Sequence, residues 1–160
     1  MATTPKQRAA AAAALATIIA IPAEGIRQFA YYDPPGILTV CYGHTGADVV
    51  AKRKYSMDEC RALLTADMQK AVAHVERCVP GLPVPVLAAF SDAVFNLGPG
   101  LACSRTTSTA ARMLYAGDLV GACNQLPRWD KARVLGAMVA LPGLTKRRAA
   151  ERSLCLTGVP

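Results

Sequence analysis

The 160 residues contain no Cys-x-x-Cys pair, and the two histidines, His44 and His74, stand apart with no metal-ligand spacing around them. A zinc site is therefore not expected, and no cofactor is implied. Aromatic residues are scarce at 6%, and the lysines and arginines are scattered with no nucleic-acid-binding motif among them. Few platforms for base stacking are available, which argues against a nucleic-acid binder. Neither a long polar tract nor a tandem repeat is present, and the apolar share of 52% is that of a globular chain. Acids are outnumbered, 11 Asp and Glu against 18 Lys and Arg, for a net charge of +7. Such a surface suits a polyanionic partner: nucleic acid, an anionic membrane or a bacterial envelope. Charge alone does not choose among them.

One stretch lacks charge altogether. From Ala9 to Ala23 fifteen residues pass without a Lys, Arg, Asp or Glu, nine of them Ala, behind a polar start that carries Lys6 and Arg8. The pattern is that of the front of a secretory signal. As a helix the run reaches only about 22 Å against the roughly 30 Å of a bilayer's hydrocarbon core, so it also reads as a first helix packed on the core.

Further along, DPPG marks a turn and ILTVCY is strand-prone, which predicts a hairpin within residues 31–50. Ser56 and Glu59 form a capping box that opens a helix from about 57 to 78, with Leu63, Leu64, Met68, Ala71, Val72 and Val75 at helical spacing. Pro83 and Pro85 lead into a helix through VLAAFSDAVFNL that Gly98 and Pro99 stop. A further helix ends at Gly117, Asp118 caps the next, and TKRRAAERSLCL forms the last, after a looser stretch from Trp129 to Gly143. Helices with one small sheet near the front place the chain in the α+β class.

Six cysteines at 41, 60, 78, 103, 123 and 155 allow fifteen disulfide pairings, and an even count over one domain favours an oxidising compartment. The sequential pairing Cys41–Cys60, Cys78–Cys103 and Cys123–Cys155 is expected. It ties the hairpin to the second helix, that helix's end to the loop after Gly100, and the last helix to the one that starts near Asp118.

The stretch EGIRQFAYYDPPGILTVCYGHTG carries the chemistry. Glycoside cleavage needs an acid for the leaving oxygen and a second group for the water or the sugar cation. Glu24 is expected at the end of the first helix among Ile21, Ala23, Ile26 and Phe29, apolar surroundings that keep it protonated as the acid. Asp33 opens a polar turn that holds it ionised, and the Thr39 hydroxyl follows on a strand, able to orient a water. Taken alone, a Glu and an Asp at this separation are also an ordinary solvated pair around a helix end.

Their spacing, with Thr39 and the YGHTG that follows, resembles the active-site signature of phage lysozymes of glycoside hydrolase family 24. The likeness continues through DECRALLTADMQKAV, FSDAVFNLGPG, GDLVGACNQLPRW and GLTKRRAAERSLCL, from about Ala23 to Leu156. It is nearest to lambdoid endolysins with a signal-anchor-release N-terminus. Two departures stand out: ARVLGAMVAL lengthens the interval from Trp129 to Gly143, and LACSRTTS replaces a more usual aromatic.

The resemblance implies a muramidase that hydrolyses the β-1,4 bond between N-acetylmuramic acid and N-acetylglucosamine in peptidoglycan, with Glu24, Asp33 and Thr39 as catalytic residues. It makes His44 a structural residue with Asp67 as its carboxylate partner, although its place beside the turn invites a general-base reading. Arg147, in the Arg147–Arg148 pair, approaches Glu24 or lies on a solvated basic face. Asn96 lines the sugar cleft or caps its helix. Residues 1–23 become a signal-anchor-release segment and 24–160 the catalytic domain of a monomer, tethered transiently to the host inner membrane and then released to the periplasm. Two other classes compete: a lysozyme fold that binds glycan without cleaving it, and a basic protein that kills through the membrane.

Overall fold

Thr4 opens the first helix with a capping box: its hydroxyl accepts from the Gln7 amide, and the Gln7 side chain accepts from the Thr4 amide. The helix, α1 (Pro5–Glu24), thus starts ahead of the charge-free run and takes in Lys6 and Arg8. The protein is described here from a computed structural model, for residues 3–33 and 36–160. Pro34 and Pro35 of the expected turn lie outside the described residues. The buried residues of α1 are all alanines, Ala12, Ala13, Ala16 and Ala20. Among the described residues no helix is long and apolar enough to cross a membrane.

After Gly25 the chain enters an antiparallel three-stranded sheet, β1 (Arg27–Tyr32), β2 (Leu38–Cys41) and β3 (His44–Thr45), in that spatial order. Thr39 pairs with Tyr31 on one side and Thr45 on the other, and Val40 pairs with His44. The capping box at Ser56 and Glu59 then starts α2 (Met57–Cys78), whose buried stripe is Cys60, Leu64, Met68, Ala71, Val72 and Val75. The Cys41–Cys60 disulfide fastens β2 to the first turn of α2.

The centre of the molecule is α3 (Val84–Leu97). Every residue from Val86 to Val94 is buried, the polar Ser91 and Asp92 among them, as befits a mostly apolar helix enclosed by the others. α1 and α2 both pack on it. Short helices α4 (Gly100–Cys103), α5 (Thr109–Ala116) and α6 (Leu119–Gln125) follow, the last capped by Asp118, whose carboxylate accepts from the Gly121 amide. A 3₁₀ turn, Leu126–Trp129, precedes the final section. The last helix, α7 (Pro142–Leu156), also packs on α3 and is joined to α6 by Cys123–Cys155. Cys78–Cys103 links the end of α2 to α4.

The stretch between Trp129 and Gly143 corrects the expectation of a loose segment and a single sheet. It is a second hairpin, β4 (Lys131–Val134) and β5 (Ala137–Ala140), in regular antiparallel register. Leu135 and Gly136 turn it, both with positive φ, and Leu135 is wholly exposed. The base closes through the Leu141 amide on the Asp130 carbonyl and the Thr145 hydroxyl on the Asp130 carboxylate.

Candidate active site

Glu24 is the last residue of α1, and the chain leaves the helix at Gly25 (φ 67). The expected apolar pocket is not what surrounds it. Ile21, Ile26 and Phe29 all face solvent substantially. The Glu24 carboxylate, 22% exposed, is instead met by Arg147 Nη1 from α7. The helix ends at this point, so its apolar neighbours fan outward rather than close over the acid. Gly43, in the turn between β2 and β3 (φ 82), backs onto the same carboxylate, with its Cβ position 3.6 Å from Glu24 Oε2.

Arg147 is only 4% exposed and is held from behind. Its Nε and Nη2 donate to Asp92 Oδ2 and Oδ1 at 2.9 and 2.8 Å, a bidentate pair that fixes the plane of the guanidinium. Burial opposes its charge, but the hydrogen bonds and charges of Asp92, and then of Glu24, outweigh burial and hold its pKa above the ordinary value. Asp92 sits on α3 with no exposed surface. Deeper still, Arg148 Nη2 donates to Glu151 Oε1, and neither side chain reaches solvent.

Beside the sheet, Asp33 directly follows β1 and organises the turn after it. The Ile37 amide donates to Asp33 Oδ1 at 2.7 Å, while the Asp33 amide donates to the Ile37 carbonyl at 3.0 Å. Thr39 on β2 is buried; its hydroxyl donates to the Ile37 carbonyl at 3.0 Å and lies 3.4 Å from Asp33 Oδ2. The carboxylate and the hydroxyl therefore meet at one end of the sheet. Glu24 is thus met by a guanidinium and Asp33 by the amide of its own turn, so the two carboxyls stand in different electrostatic settings.

His44 is buried with both ring nitrogens engaged. Nδ1 lies 2.6 Å from Asp67 Oδ2 on α2, and Nε2 lies 3.1 Å from Asp48 Oδ2. Backbone hydrogen bonds, and then the one to His44, hold the Asp48 carboxyl below the usual carboxylate range. A histidine so occupied anchors β3 to α2 and has no nitrogen free for a substrate proton. Asn96 stands one helical turn beyond Asp92, with Oδ1 buried and unpartnered.

Sequence reasoning missed Asp92, Glu151 and Asp48. A signal for the first was present: an acid within the apolar FSDAVFNL has to find a cation, because an unpaired buried carboxylate is too costly. Among the described residues no cluster of His, Cys, Asp and Glu could hold a metal ion.

Residues 22–151 match the family model described as phage lysozyme. A SAR-endolysin of bacteriophage PS119 is 38% identical over 136 residues, covering 84% of this chain and 77% of that one. Among solved structures, the muramidase domain of SpmX from Asticaccaulis excentricus superposes with a TM-score of 0.77 at 28% identity, over 94% of this chain and 96% of that one. The active form of the P1 phage endolysin Lyz gives 0.68 at 28% identity, over 90% and 84%.

Proposed function

The chain belongs to the phage lysozyme family and is a peptidoglycan-hydrolysing endolysin; from that premise we propose that Glu24, Asp33 and Thr39 carry out the hydrolysis. Glu24 donates its proton to the glycosidic oxygen as the bond to the muramic acid carbon breaks. Asp33 and Thr39 hold a water on the other face of the sugar ring, and Asp33 accepts that water's proton as its oxygen bonds to the same carbon, the inverting course. Arg147 stabilises the carboxylate that Glu24 becomes, charge that grows during proton transfer. The observation that carries the reading is the Thr39 hydroxyl beside the Asp33 carboxylate at one end of the sheet, with Glu24 at the end of the helix that leads into that sheet. Asn96, at the end of α3, is assigned to the sugar cleft.

The test is clearance of permeabilised Gram-negative cells. Glu24→Gln is expected to fold and to lose activity by about 10²-fold or more, because an amide has no proton to give. Asp33→Asn is expected to be crippled and Thr39→Val strongly weakened. Lysis by Glu24→Gln within a few-fold of the parent would sink the assignment and favour killing through the membrane.

A second reading concerns residues 1–23 as a segment that enters the inner membrane and is later released to pack as α1. It is supported by the uncharged run, by the exposed Ile18 and Ile21 on that helix, and by relatives whose name is SAR-endolysin. Signal cleavage after Ala23 would discard α1 and leave Glu24 as a chain terminus, so retention is the course compatible with activity. The enzyme would then act as a monomer in the periplasm. Fractionation of cells that express the chain without a phage holin decides this. Uncleaved protein in membrane and periplasm supports it; cytosolic protein alone, or a form that starts at Glu24, overturns it.

A further inference from the structure

The β4–β5 hairpin has both of its faces bare. Directly paired residues share a face, so Ala132, Val134, Ala137 and Val139 form one side and Lys131, Arg133, Met138 and Ala140 the other. None of these side chains joins the hydrophobic core, and all but Ala132 are exposed. Val134, Leu135, Met138 and Val139 thus hold large apolar surface in water, where two strands without a cover are marginal. The turn sharpens the point. Leu135 takes a positive φ of 46, a conformation that costs a leucine energy and suits asparagine, and Asn-Gly is the favoured pair for a turn of this length. A wholly exposed Leu stands there instead, so the apolar tip does not serve the hairpin's own folding.

Charge says what covers it. No acid occurs between Asp130 and Glu151; the first is engaged by Thr145 and the second is buried. Lys131 and Arg133 on the hairpin, and Arg128 and Lys146 on either side of it in sequence, are all exposed. Arg133 Nη1 donates to the Gly136 carbonyl at 3.1 Å, so a cation stands directly behind the apolar turn. A second copy would bring the same charges, and its four-residue strands are far too small for the roughly 1,200 Å² that a stable interface buries. We propose that the hairpin docks the folded protein on an anionic lipid bilayer, an attachment separate from residues 1–23. An interfacial element sinks its apolar side about 5–10 Å past the headgroups. Leu135 and Val134 enter that boundary and Arg133 meets the lipid phosphates. Lys131, about 13 Å behind the tip at roughly 3.3 Å per residue, reaches the outer headgroups.

The test is sedimentation of the full chain with vesicles of phosphatidylethanolamine and phosphatidylglycerol, against vesicles of phosphatidylcholine. Every variant keeps residues 1–23, so any affinity of that segment is common to all. The parent should prefer the anionic vesicles. Leu135→Asn, which suits the turn, should lower its partition into them about tenfold. Lys131→Ser with Arg133→Ser should lower it about 30-fold, a difference that high salt removes. Both should cut purified peptidoglycan in vesicle-free solution at the parent's rate. Met138→Trp, on a strand that accepts an aromatic, should shift its emission to the blue when anionic vesicles are added, beyond any shift of the parent's Trp129. Undiminished partition of a folded Leu135→Asn, equal binding to neutral vesicles, or an unshifted Met138→Trp emission overturns the proposal. So does a dimer in vesicle-free buffer that Leu135→Asn dissolves, because a second copy then covers the hairpin. Slower cutting by the variants in vesicle-free solution also overturns it, by placing the hairpin at the sugar cleft.

Discussion

Arg147 connects the surface of the site to its interior, and its neighbours set how the protein responds to pH. Glu151 has an ordinary carboxyl value of 4.5 and is held at about 10 in the fold, so between those limits the folded chain binds a proton that the unfolded chain has released. Its contribution to stability is whole below the lower value and is lost as pH rises toward the upper one. Tm measured by calorimetry should fall across that window, and Glu151→Gln should flatten the fall. Equal slopes in the two proteins would count against the shift. Glu24, Asp33 and Thr39 were legible in the sequence because they lie within one short stretch, where spacing and a following YGHTG can be read together. Asp92 and Arg147 are 55 positions apart, and nothing local to either names the other. Missing that pair also misjudged the setting of Glu24, which the sequence presents among Ile and Phe but the fold presents to a guanidinium.

The helices that capping chemistry announces were read almost to the residue. Ser56 with Glu59, and Asp118 with its acceptor role, fix α2 and α6 by local hydrogen bonds that need no tertiary partner. The β4–β5 hairpin was not, because its turn is Leu135–Gly136 rather than the Asn-Gly or Asp-Gly that left-handed turn positions favour. The disulfides differ as elements too. Cys123 and Cys155 have no exposed surface, Cys41 and Cys60 almost none, whereas Cys78 and Cys103 are only partly buried. Thiol–disulfide exchange depends on access, so a mild reductant should open Cys78–Cys103 first and Cys123–Cys155 last. Mass spectrometry after timed alkylation checks the order, and early loss of Cys123–Cys155 would show that α6 and α7 part more readily than their packing implies.

Across the whole molecule, the fold class and the order of helices followed from pattern, while the way α1 is seated emerged only from the packing. Its fully buried contacts are four alanines. At about 0.8 kcal/mol per buried carbon, their methyls contribute on the order of 3 kcal/mol, less than the roughly 5–15 kcal/mol that holds a domain folded. Arg8 adds a hydrogen bond to the Leu82 carbonyl near the far end, and Arg147 adds its contact with Glu24. Partly buried Ala9 and Leu15 add to this seat, and a helix whose fully buried side chains are all alanines is expected to lift before α2, α3 and α7 part. Native-state hydrogen exchange should therefore find the α1 amides opening in a separate, lower-energy event than those of α3. A single common opening energy would refute it. Glu24 rides on that element, so on this expectation the fraction of molecules able to cut is the fraction with the latch closed. Such an enzyme would lose its acid by shedding one helix, before it melts.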